Sequence, residues 1–543
     1  MPYGTDLSKL IACYSTNADS VWIGSEEQNS GVSVNDFRNP VVYRLKTETG
    51  FFDWTVKVTT SEPGGKDESL RFTSFNIPGE GGMVGKDLNT IYIAVKDGTS
   101  LGSLVPTFTT NAEKVYVGTA EQTSGITANN FSRDVVYKFE SDSGTNEITV
   151  KTFQFSLPAL FISTQIPTSA INKENWAGGA TAVLFDSMTG SIDILGVDDS
   201  AENIAVNEIK GRGNSTWGYP KKPYTIKLDK KESILGMPKD KRWNLLANWM
   251  DRTDMRNDIA LELARRSPGL AWSSKGQFVE FVLNGKHNGN YYLCEHIKIA
   301  KDRVNITGYD EDEPAAPNEI GYLFELDTYF DEANKFRSAA LNLPVNVKDP
   351  DVEGFDLTYI AGWFNALETK ITSVNIAATN YKDYLDIDSF IDWYLVHEMT
   401  SIWEPNHPKS SYMYKDAESA ADNKIHAGPC WDFDYDTFTP GKANSWIIKD
   451  AIWYKYLFKD PAFVARLKEK WNAQKSLYDD VAASYIDEMA SKIKTSVSVD
   501  KGLWPCTSTV NGDEKMEFSD AVNRIKTSLQ NKIAFMNTAI GKM

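Results

Sequence analysis

A glycine-rich turn followed by a lysine on a strand lies at residues 211–228 and is suited to holding phosphate groups. Three glycines within residues 211–218 allow the backbone N–H groups to come close to a ligand. Arg212 stands between two of these glycines, where its guanidinium could bind a phosphate through two parallel hydrogen bonds. The residues that follow alternate as in a strand, which would fix the direction of Lys227. The same pattern is also typical of an ordinary β-hairpin, so it needs support from elsewhere in the chain.

An alternating acidic run, Trp-Asp-Phe-Asp-Tyr-Asp at residues 431–436, is the second group of residues that could do chemistry. In an extended chain, Asp432, Asp434 and Asp436 would lie on one side. Carboxylate oxygens are suitable ligands for Mg²⁺ or Mn²⁺ and unsuitable for selecting zinc. Phosphoryl transfer needs cations on the phosphates, a carboxylate that holds Mg²⁺ and a group that orients the acceptor hydroxyl. The two segments together supply most of these parts.

Three separated blocks of the chain resemble the spore coat protein H (CotH) family of atypical kinases. In the family's order they are RGNSTWGYPKKPYTIKL from Arg212, NLLANWMDRTDMRN at 244–257 and GPCWDFDYDTF at 428–438. The resemblance covers about residues 157–543. It implies a kinase-like bilobal domain that uses ATP with Mg²⁺ or Mn²⁺.

The resemblance also implies roles for individual residues. Asp432 is expected to be the first metal ligand and Asp434 the second. Lys227 is expected to act in catalysis as well as in nucleotide binding. The full set of expected nucleotide-binding residues is Arg212, Gly213, Asn214, Lys222, Lys227, Glu262 and Glu295.

Two members of that set are carboxylates with an alternative interpretation. Glu262 would lie on a helix predicted over 252–266 and pair with Lys227, or it would be a solvated helix residue. Glu295 would end a central strand and contact the base or ribose, or it would be a surface carboxylate.

Glu404 is the expected catalytic carboxylate, although its loop departs from the family's pattern. The family has an asparagine, an aspartate two positions later and then another asparagine, and these positions fall on Ile402, Glu404 and about Ser410. Asn406 is the nearby substitute for the second asparagine. The carboxylate of a glutamate lies one methylene further from the backbone, and a misplacement of about 1 Å can cost about a hundredfold in rate. The sequence therefore leaves open an active protein kinase, a nucleotide-binding pseudokinase or non-enzymatic surface or adhesion protein, and a glycan-associated surface lipoprotein.

Local signals predict the elements that would position these residues. Asn284-Gly285 between apolar runs at 276–283 and 289–296 predicts a hairpin at the centre of a sheet. Asp251 or Thr253 is expected to cap the helix over 252–266.

Further along the chain the pattern becomes helical. Asp388 is expected to cap a helix over 390–399, and Arg252 or Arg256 is expected to pair with an aspartate of 432–436. Amphipathic helices are predicted at 449–473, 478–494 and 519–541.

Residues 4–57 and 98–151 are an internal repeat with a constant offset of 94. Each copy is rich in β-branched and aromatic residues, which predicts an immunoglobulin-like β-sandwich. The first copy lacks the leading strands that the second copy has before residue 98. The predicted domains are a truncated sandwich at 1–62, a second sandwich at 63–156 and the kinase-like domain at 157–543. The predicted fold class is therefore multidomain, with N-terminal all-β sandwiches followed by an α+β atypical protein-kinase-like bilobal domain.

Composition limits the partners of the chain. A net charge of −17 over 543 residues argues against binding to nucleic acid or to an anionic membrane. No apolar run approaches the length of a transmembrane helix. The incomplete first repeat suggests that a longer N-terminus, with a signal region and room for a lipid anchor, precedes Met1 in nature. A secreted or cell-surface protein of the type found in Bacteroides-like bacteria, with a nucleotide and an exported protein as partners, is the resulting expectation.

Overall fold

The structure, a computed structural model, divides the chain into two compact units. Its described residues are 1, 4–47, 50–60, 65–197 and 207–543. The first unit comprises Met1–Gln154 with Phe185–Ile192, and the second comprises Phe155–Leu184 with Asp193–Met543. The predicted boundary at 62/63 falls outside the described residues.

The first unit is built from strands, and the sequence repeat recurs in its elements. The strands of the first copy are β1 (Leu10–Ile11), β2 (Ser20–Ile23), β3 (Glu26–Glu27), β4 (Val34–Asn35), β5 (Val41–Thr47) and β6 (Gly50–Val56). Those of the second are β7 (Phe72–Ile77), β8 (Gly81–Lys86), β9 (Thr90–Val95), β10 (Thr107–Thr110), β11 (Lys114–Val117), β12 (Ala120–Glu121), β13 (Val135–Ser141) and β14 (Gly144–Gln154). β5 and β13 begin 94 residues apart, as do β6 and β14, so the repeat is structural as well as sequential.

The two copies differ at one sheet edge. In the second copy the strand order is β10-β7-β8-β9-β14-β13-β11-β12, and β14 pairs in parallel with β9. In the first copy the order is β3-β2-β5-β6, so within the described residues β6 ends the sheet. Trp54 on β6 is consequently 68% exposed, whereas its repeat counterpart Ile148 is 4% exposed. The extra strands of the second copy bury the face that the first copy leaves in solvent.

The second unit begins with a sheet that closes on itself. Its strand order is β15-β21-β22-β20-β19-β18-β16-β17, and β15 also pairs with β16. The strands are β15 (Ala159–Ser163), β16 (Ala177–Phe185), β17 (Ile192–Leu195), β18 (Asn207–Gly211), β19 (Tyr224–Glu232), β20 (Asp240–Leu246), β21 (Gly276–Leu283) and β22 (Lys286–Glu295). Asn284 and Gly285 have φ values of 50° and 69°, which is the left-handed turn that a tight hairpin requires. The predicted hairpin is confirmed.

The rest of the second unit combines a smaller sheet with helices. The sheet has the order β24-β25-β23-β26-β27, with β23 (Tyr322–Leu326), β24 (Lys335–Arg337), β25 (Pro344–Asp349), β26 (Ser411–Lys415) and β27 (Ile425–Ala427). The helices are α1 (Arg256–Arg265), α2 (Thr358–Ile371), α3 (Ile387–Thr400), α4 (Tyr454–Leu457), α5 (Pro461–Asp480), α6 (Ile486–Leu503) and α7 (Phe518–Gly541). An all-β region followed by a mixed α/β domain is therefore observed, and the fold-class prediction is confirmed.

The helix predicted over 478–494 corresponds to the end of α5, a π-helical turn at Val481–Tyr485 and the start of α6, and two other helix boundaries also differ from the sequence prediction. The cap of α3 is Asp386, whose Oδ1 accepts a hydrogen bond from Ser389 N at 2.8 Å, whereas Asp388 pairs with Arg466 at 2.6 Å. The helix predicted over 449–473 is interrupted, because Pro461 opens α5 and cannot continue a preceding helix. Each helix in the described residues is too short or too polar to cross a lipid bilayer.

Candidate active site

A polar cavity of about 680 Å³ lies within the second unit and collects most of the predicted site residues. Its walls come from the glycine-rich turn, the end of β20, the loop after β23, and the segments before β26 and after β27. Of the predicted residues it is lined by Arg212, Gly213, Asn214, Glu404, Asp432 and Asp434. We call this cavity the cleft.

The glycine-rich turn is held in shape by its own side chains. Gly213 has φ of 81°, and a Cβ there would overlap Thr216 Oγ1. A Cβ at Gly211 would overlap the indole of Trp217. The turn therefore requires glycine at both positions. Arg212 between them places its guanidinium carbon 5.5 Å from the centre of the Trp431 ring, next to the acidic segment.

A hairpin brings the catalytic-loop segment to the acidic segment. β26 and β27 pair antiparallel, so the residues just before β26 lie beside the residues just after β27. Ser410 Oγ donates a hydrogen bond to Asp432 Oδ2 at 3.0 Å. Ser410 and Asp432 have φ values of 46° and 70°, uncommon for residues with a side chain. Such strained positions cluster at functional sites.

The carboxyl groups of Glu404, Asp432 and Asp434 line the cleft together, and the charge of Asp432 affects the pKa of the other two. Burial and the neighbouring Asp432 raise the pKa of Glu404 to about 8. Burial and the same aspartate raise the pKa of Asp434 to about 7. Among the described residues, Glu404 Oε2 is buried without a hydrogen-bond partner. Half-buried and buried carboxylates that repel one another, one of them with an unpartnered oxygen, fit a divalent cation with oxygen ligands.

The acidic segment is braced from behind by residues far away in sequence. Asn257 Oδ1 accepts a hydrogen bond from Phe433 N at 2.8 Å, and Asn511 Nδ2 donates to Asp434 O at 2.8 Å. These bonds fix the backbone immediately after Asp432, and the hydrogen bond from Ser410 holds its carboxylate.

Arg256 forms the buried ionic support of this brace. Its guanidinium contacts Asp251, and Nη2 lies 2.5 Å from Asp513 Oδ2. Its Nε also donates to Thr437 O at 3.4 Å. Arg252 Nε donates to Met516 O at 2.8 Å. Neither arginine therefore pairs with an aspartate of 432–436, and that expectation is wrong.

Lys227 and Lys222 do not reach the cleft. Glu208 stands directly opposite Lys227 in the β18–β19 register, and the two side chains pair at 2.8 Å. Lys222 Nζ donates to Trp217 O at 2.6 Å. Both lysines were expected to bind the nucleotide, and the structure places neither in the cleft. For Lys227 the strand pattern gave its direction but did not reveal the opposing glutamate.

Glu262 and Glu295 also lie outside the cleft. Glu262 pairs with Arg265 at 2.8 Å and Arg266 at 2.7 Å on its own helix, so the predicted partnership with Lys227 does not form. Glu295 is fully buried and pairs with Arg303 at 2.7 Å. Both carboxylates are neutralised within the scaffold.

Two cations outside the expected nucleotide-binding set line the cleft, and Lys348 is the one that sequence reasoning missed. Lys348, near the end of β25, contacts Glu332 and lies 3.5 Å from Glu325. Lys409 lies in the loop before β26, with Nζ 4.2 Å from the Tyr329 ring centre. Alternation along β25 was the available signal for Lys348, but nothing local indicated that this strand faces the cleft.

The fold and this cleft define a kinase-like domain that follows an all-β module. A family model described as CotH kinase protein matches residues 209–536, which is more than half of the chain. The chain therefore belongs to the CotH kinase protein family. A second model, described as the SGBP N-terminal domain, matches residues 72–152, and this is a module of the Bacteroides surface-glycan-binding type.

Comparisons with individual proteins add little. None of the curated proteins matches the chain significantly. One solved structure, a protein from Bacteroides thetaiotaomicron described as a candidate glycoside hydrolase, is 13% identical and covers 56% of this chain and 89% of its own. Its TM-score is 0.17, so it contributes nothing to the functional assignment.

The electrostatics of the cleft predict a pH-dependent response to Mg²⁺. Because folding raises the pKa of Glu404 to about 8 and of Asp434 to about 7, the folded protein holds protons that the unfolded chain releases. Metal-free stability should therefore fall as pH rises from about 4 to 8. Millimolar Mg²⁺ should raise Tm by about 2–5 °C at pH 8 and by less than half of that at pH 6. Scanning fluorimetry with and without Mg²⁺ measures both shifts.

A variant pair checks the source of this response. Asp434→Asn should raise metal-free Tm at pH 8 and reduce the Mg²⁺ shift, whereas Asp479→Asn on the exposed side of α5 should change neither. An Mg²⁺ shift of equal size in Asp434→Asn would contradict the interpretation.

Proposed function

We propose that this protein is a Mg²⁺-dependent kinase that transfers the γ-phosphoryl group of ATP to a Ser or Thr hydroxyl of an exported protein. One observation carries the proposal. Glu404, Asp432 and Asp434 converge on the cavity that the glycine-rich turn lines, and within the described residues one Glu404 oxygen has no partner. The SGBP-type module at 72–152 supports a secreted or surface location.

The nucleotide would lie between the glycine-rich turn and the end of β20. Arg212 and the N–H groups of the turn would bind phosphates, with Lys348 and Lys409 as further cations at the cleft. The wall after β20 is more apolar, and there Tyr219 stacks on Trp249 with ring centres 5.1 Å apart. Such a wall suits a nucleobase.

Asp432 and Asp434 would hold the metal. When bound, Mg²⁺ would neutralise the negative charge that develops on the phosphate groups during transfer. Ser410 keeps Asp432 oriented through its hydrogen bond at 3.0 Å, and Asn257 holds the adjacent backbone. These contacts limit the rearrangement needed for ligand binding.

Glu404 would accept the proton of the acceptor hydroxyl. It begins a 3-10 turn, Glu404–Asn406, which the Asn406 amide anchors by donating to Trp403 O and Ile447 O. The side chain of Asn406 therefore bonds to the backbone of the scaffold and does not substitute for the family's second asparagine. A general base works best when its pKa is close to the working pH, and the pKa of Glu404, about 8, meets that condition.

A nucleotide-binding pseudokinase is the second candidate. The observation that favours it is Ser410, which occupies about the position of the family's second asparagine and donates to Asp432. A hydroxyl there would hold a second metal ion less well than an amide oxygen. Phosphate transfer from labelled ATP to the protein itself or to cell-surface extracts separates the candidates, since a pseudokinase would bind Mg–ATP and transfer nothing.

Calorimetric titration with Mg–ATP tests the nucleotide site. Arg212→Ala should weaken binding by about 10–100-fold, because one charge-assisted phosphate contact is lost. Lys227→Ala should leave the affinity unchanged, since that lysine pairs with Glu208 away from the cleft. An absence of heat with the wild-type protein would overturn both nucleotide-based functions, and an effect of Lys227→Ala equal to that of Arg212→Ala would contradict the placement.

A further inference from the structure

A second, smaller cavity opens beside the cleft on the outer face of the closed sheet. Its volume is about 410 Å³. We call it the basic groove, and its chemically active lining residues are Lys173, Trp176, Lys210, Arg212, Arg242, His296 and Glu332, the last of which pairs with Lys348. Arg212, Gly213, Asn214 and Glu332 line both cavities, so the groove adjoins the glycine-rich turn at one end of the cleft.

The cations of the groove converge on one aromatic ring. Lys210 Nζ lies 4.8 Å from the Trp176 ring centre, and the Arg242 guanidinium carbon lies 5.5 Å from it. Lys227, which stands directly opposite Arg242 in the β19–β20 register, lies 5.9 Å from the same ring. Like charges on directly paired strands are destabilising. The sheet nevertheless brings the cations of Lys210, Lys227 and Arg242 together around the Trp176 ring.

The positive charge of the groove is incompletely neutralised. Lys227 has Glu208 as its partner, but in the part of the chain that the structure describes, Lys173, Lys210 and Arg242 form no ion pair within 4.0 Å. Burial and the nearby Arg242 lower the pKa of Lys210 below its ordinary value. This arrangement stands out in a chain with 74 acidic and 57 basic residues, where carboxylates are plentiful. A bound anion would relieve the repulsion.

Carboxylates fit the groove better than a second nucleotide does. Among the described residues, Glu332 is the one carboxylate that lines the groove, and it already pairs with Lys348, so the groove lacks the free acidic ligands that a metal-bound phosphate chain would need. Lys210 and Arg242 both lie within 5.5 Å of the centre of the Trp176 ring, so a carboxylate bound beside that ring would have two cations near it. Both are partly exposed, so a side chain of another polypeptide can reach them.

We propose that the basic groove binds Asp or Glu side chains of the polypeptide that accepts the phosphoryl group, so that acceptors with acidic residues beside the reacting hydroxyl are selected. The selection rests on the proposed kinase function, whereas binding of acidic segments can be measured without it. The Trp176 ring is the shared contact of Lys210 and Arg242. Arg212 connects the groove with the cleft, which places the acidic neighbour close to the transferred phosphate.

Fluorescence anisotropy with labelled peptides tests the groove. One peptide carries a serine flanked by glutamates, and a matched peptide carries glutamines instead. The wild-type protein should bind the acidic peptide at least about tenfold more tightly, and added salt should weaken this binding. The double variant Lys210→Gln/Arg242→Gln should lose that preference. Lys241→Gln, an exposed lysine beside Arg242 but on the other face of β20, should keep it.

Mg–ATP calorimetry on the same proteins separates this inference from the proposed function. The double variant should retain wild-type heat, which also shows that its cleft is folded. Wild-type protein that binds Mg–ATP but treats the two peptides alike would overturn the groove assignment alone. Acidic-peptide binding that depends on Lys210 and Arg242 without any Mg–ATP heat would support the groove and overturn the kinase. A sulfated oligosaccharide that binds through these residues when the acidic peptide does not would also overturn the proposal.

Discussion

Replacing Glu404 with glutamine is expected to slow phosphoryl transfer by about 10²–10⁴-fold while changing Mg–ATP affinity much less. Glutamine keeps the size of the side chain but cannot accept a proton from the acceptor hydroxyl. Glu404 also lies in a loop fixed by Asn406, so the substitution should leave the backbone in place. Transfer of labelled phosphate gives the rate, and calorimetry gives the affinity.

Two further variants sharpen the Glu404 test. Glu353→Gln removes an exposed carboxylate and should leave the rate unchanged. Glu404→Asp shortens the side chain by one methylene, and a rate below that of the wild type would indicate that the longer reach of glutamate is needed here. Undiminished transfer by Glu404→Gln would remove Glu404 from the mechanism.

Asp432→Asn is expected to weaken Mg²⁺-dependent nucleotide binding by about 100-fold or more. Loss of an indirect contact to a metal site typically costs about 10–100-fold, and removing a charged ligand should cost at least the upper part of that range. The affinity for ATP without Mg²⁺ should change little or improve, since a negative charge is removed from the cleft. Calorimetry with Mg–ATP and with ATP in the presence of a chelator measures the two affinities.

Asp436→Asn is the matched control for Asp432. Asp436 belongs to the same alternating run, but its carboxylate pairs with Lys442 at 2.5 Å. Its loss should leave Mg–ATP binding within about threefold, because a partly exposed ion pair contributes little. Equal losses in the two variants would mean that the run acts as a diffuse negative patch, and the assignment of Asp432 as a metal ligand would be withdrawn.

Local signals in the sequence predicted local structure well. Asn284-Gly285 predicted its hairpin because only a left-handed turn closes two strands so tightly. The glycine-rich turn and the acidic run also meet at one cavity, as the resemblance to the family implied. Asp251 or Thr253 was expected to cap α1, but the N-cap residue is Met255, and Asp251 supports the start of the helix by accepting hydrogen bonds from Thr253 N and Arg256 N.

Contacts between distant segments could not be predicted in this way. Alternation fixed the direction of Lys227 along its strand but said nothing of Glu208, which the β18–β19 register places opposite. Lys348 reaches the cleft because β25 pairs with β23, a pairing with no local signal. Two acidic residues stand within three positions at the start of α3, and the sequence did not tell which one caps the helix.

The brace behind the acidic segment has a consequence for the order in which the protein becomes competent. Asn511 and Asp513 reach back to Asp434 and Arg256, and Arg256 precedes Asp513 by 257 residues. A ribosome therefore has to deliver the chain as far as Asp513 before the brace behind the acidic segment can be completed. Until Asp513 is available, the acidic segment lacks the side chains that hold it from behind.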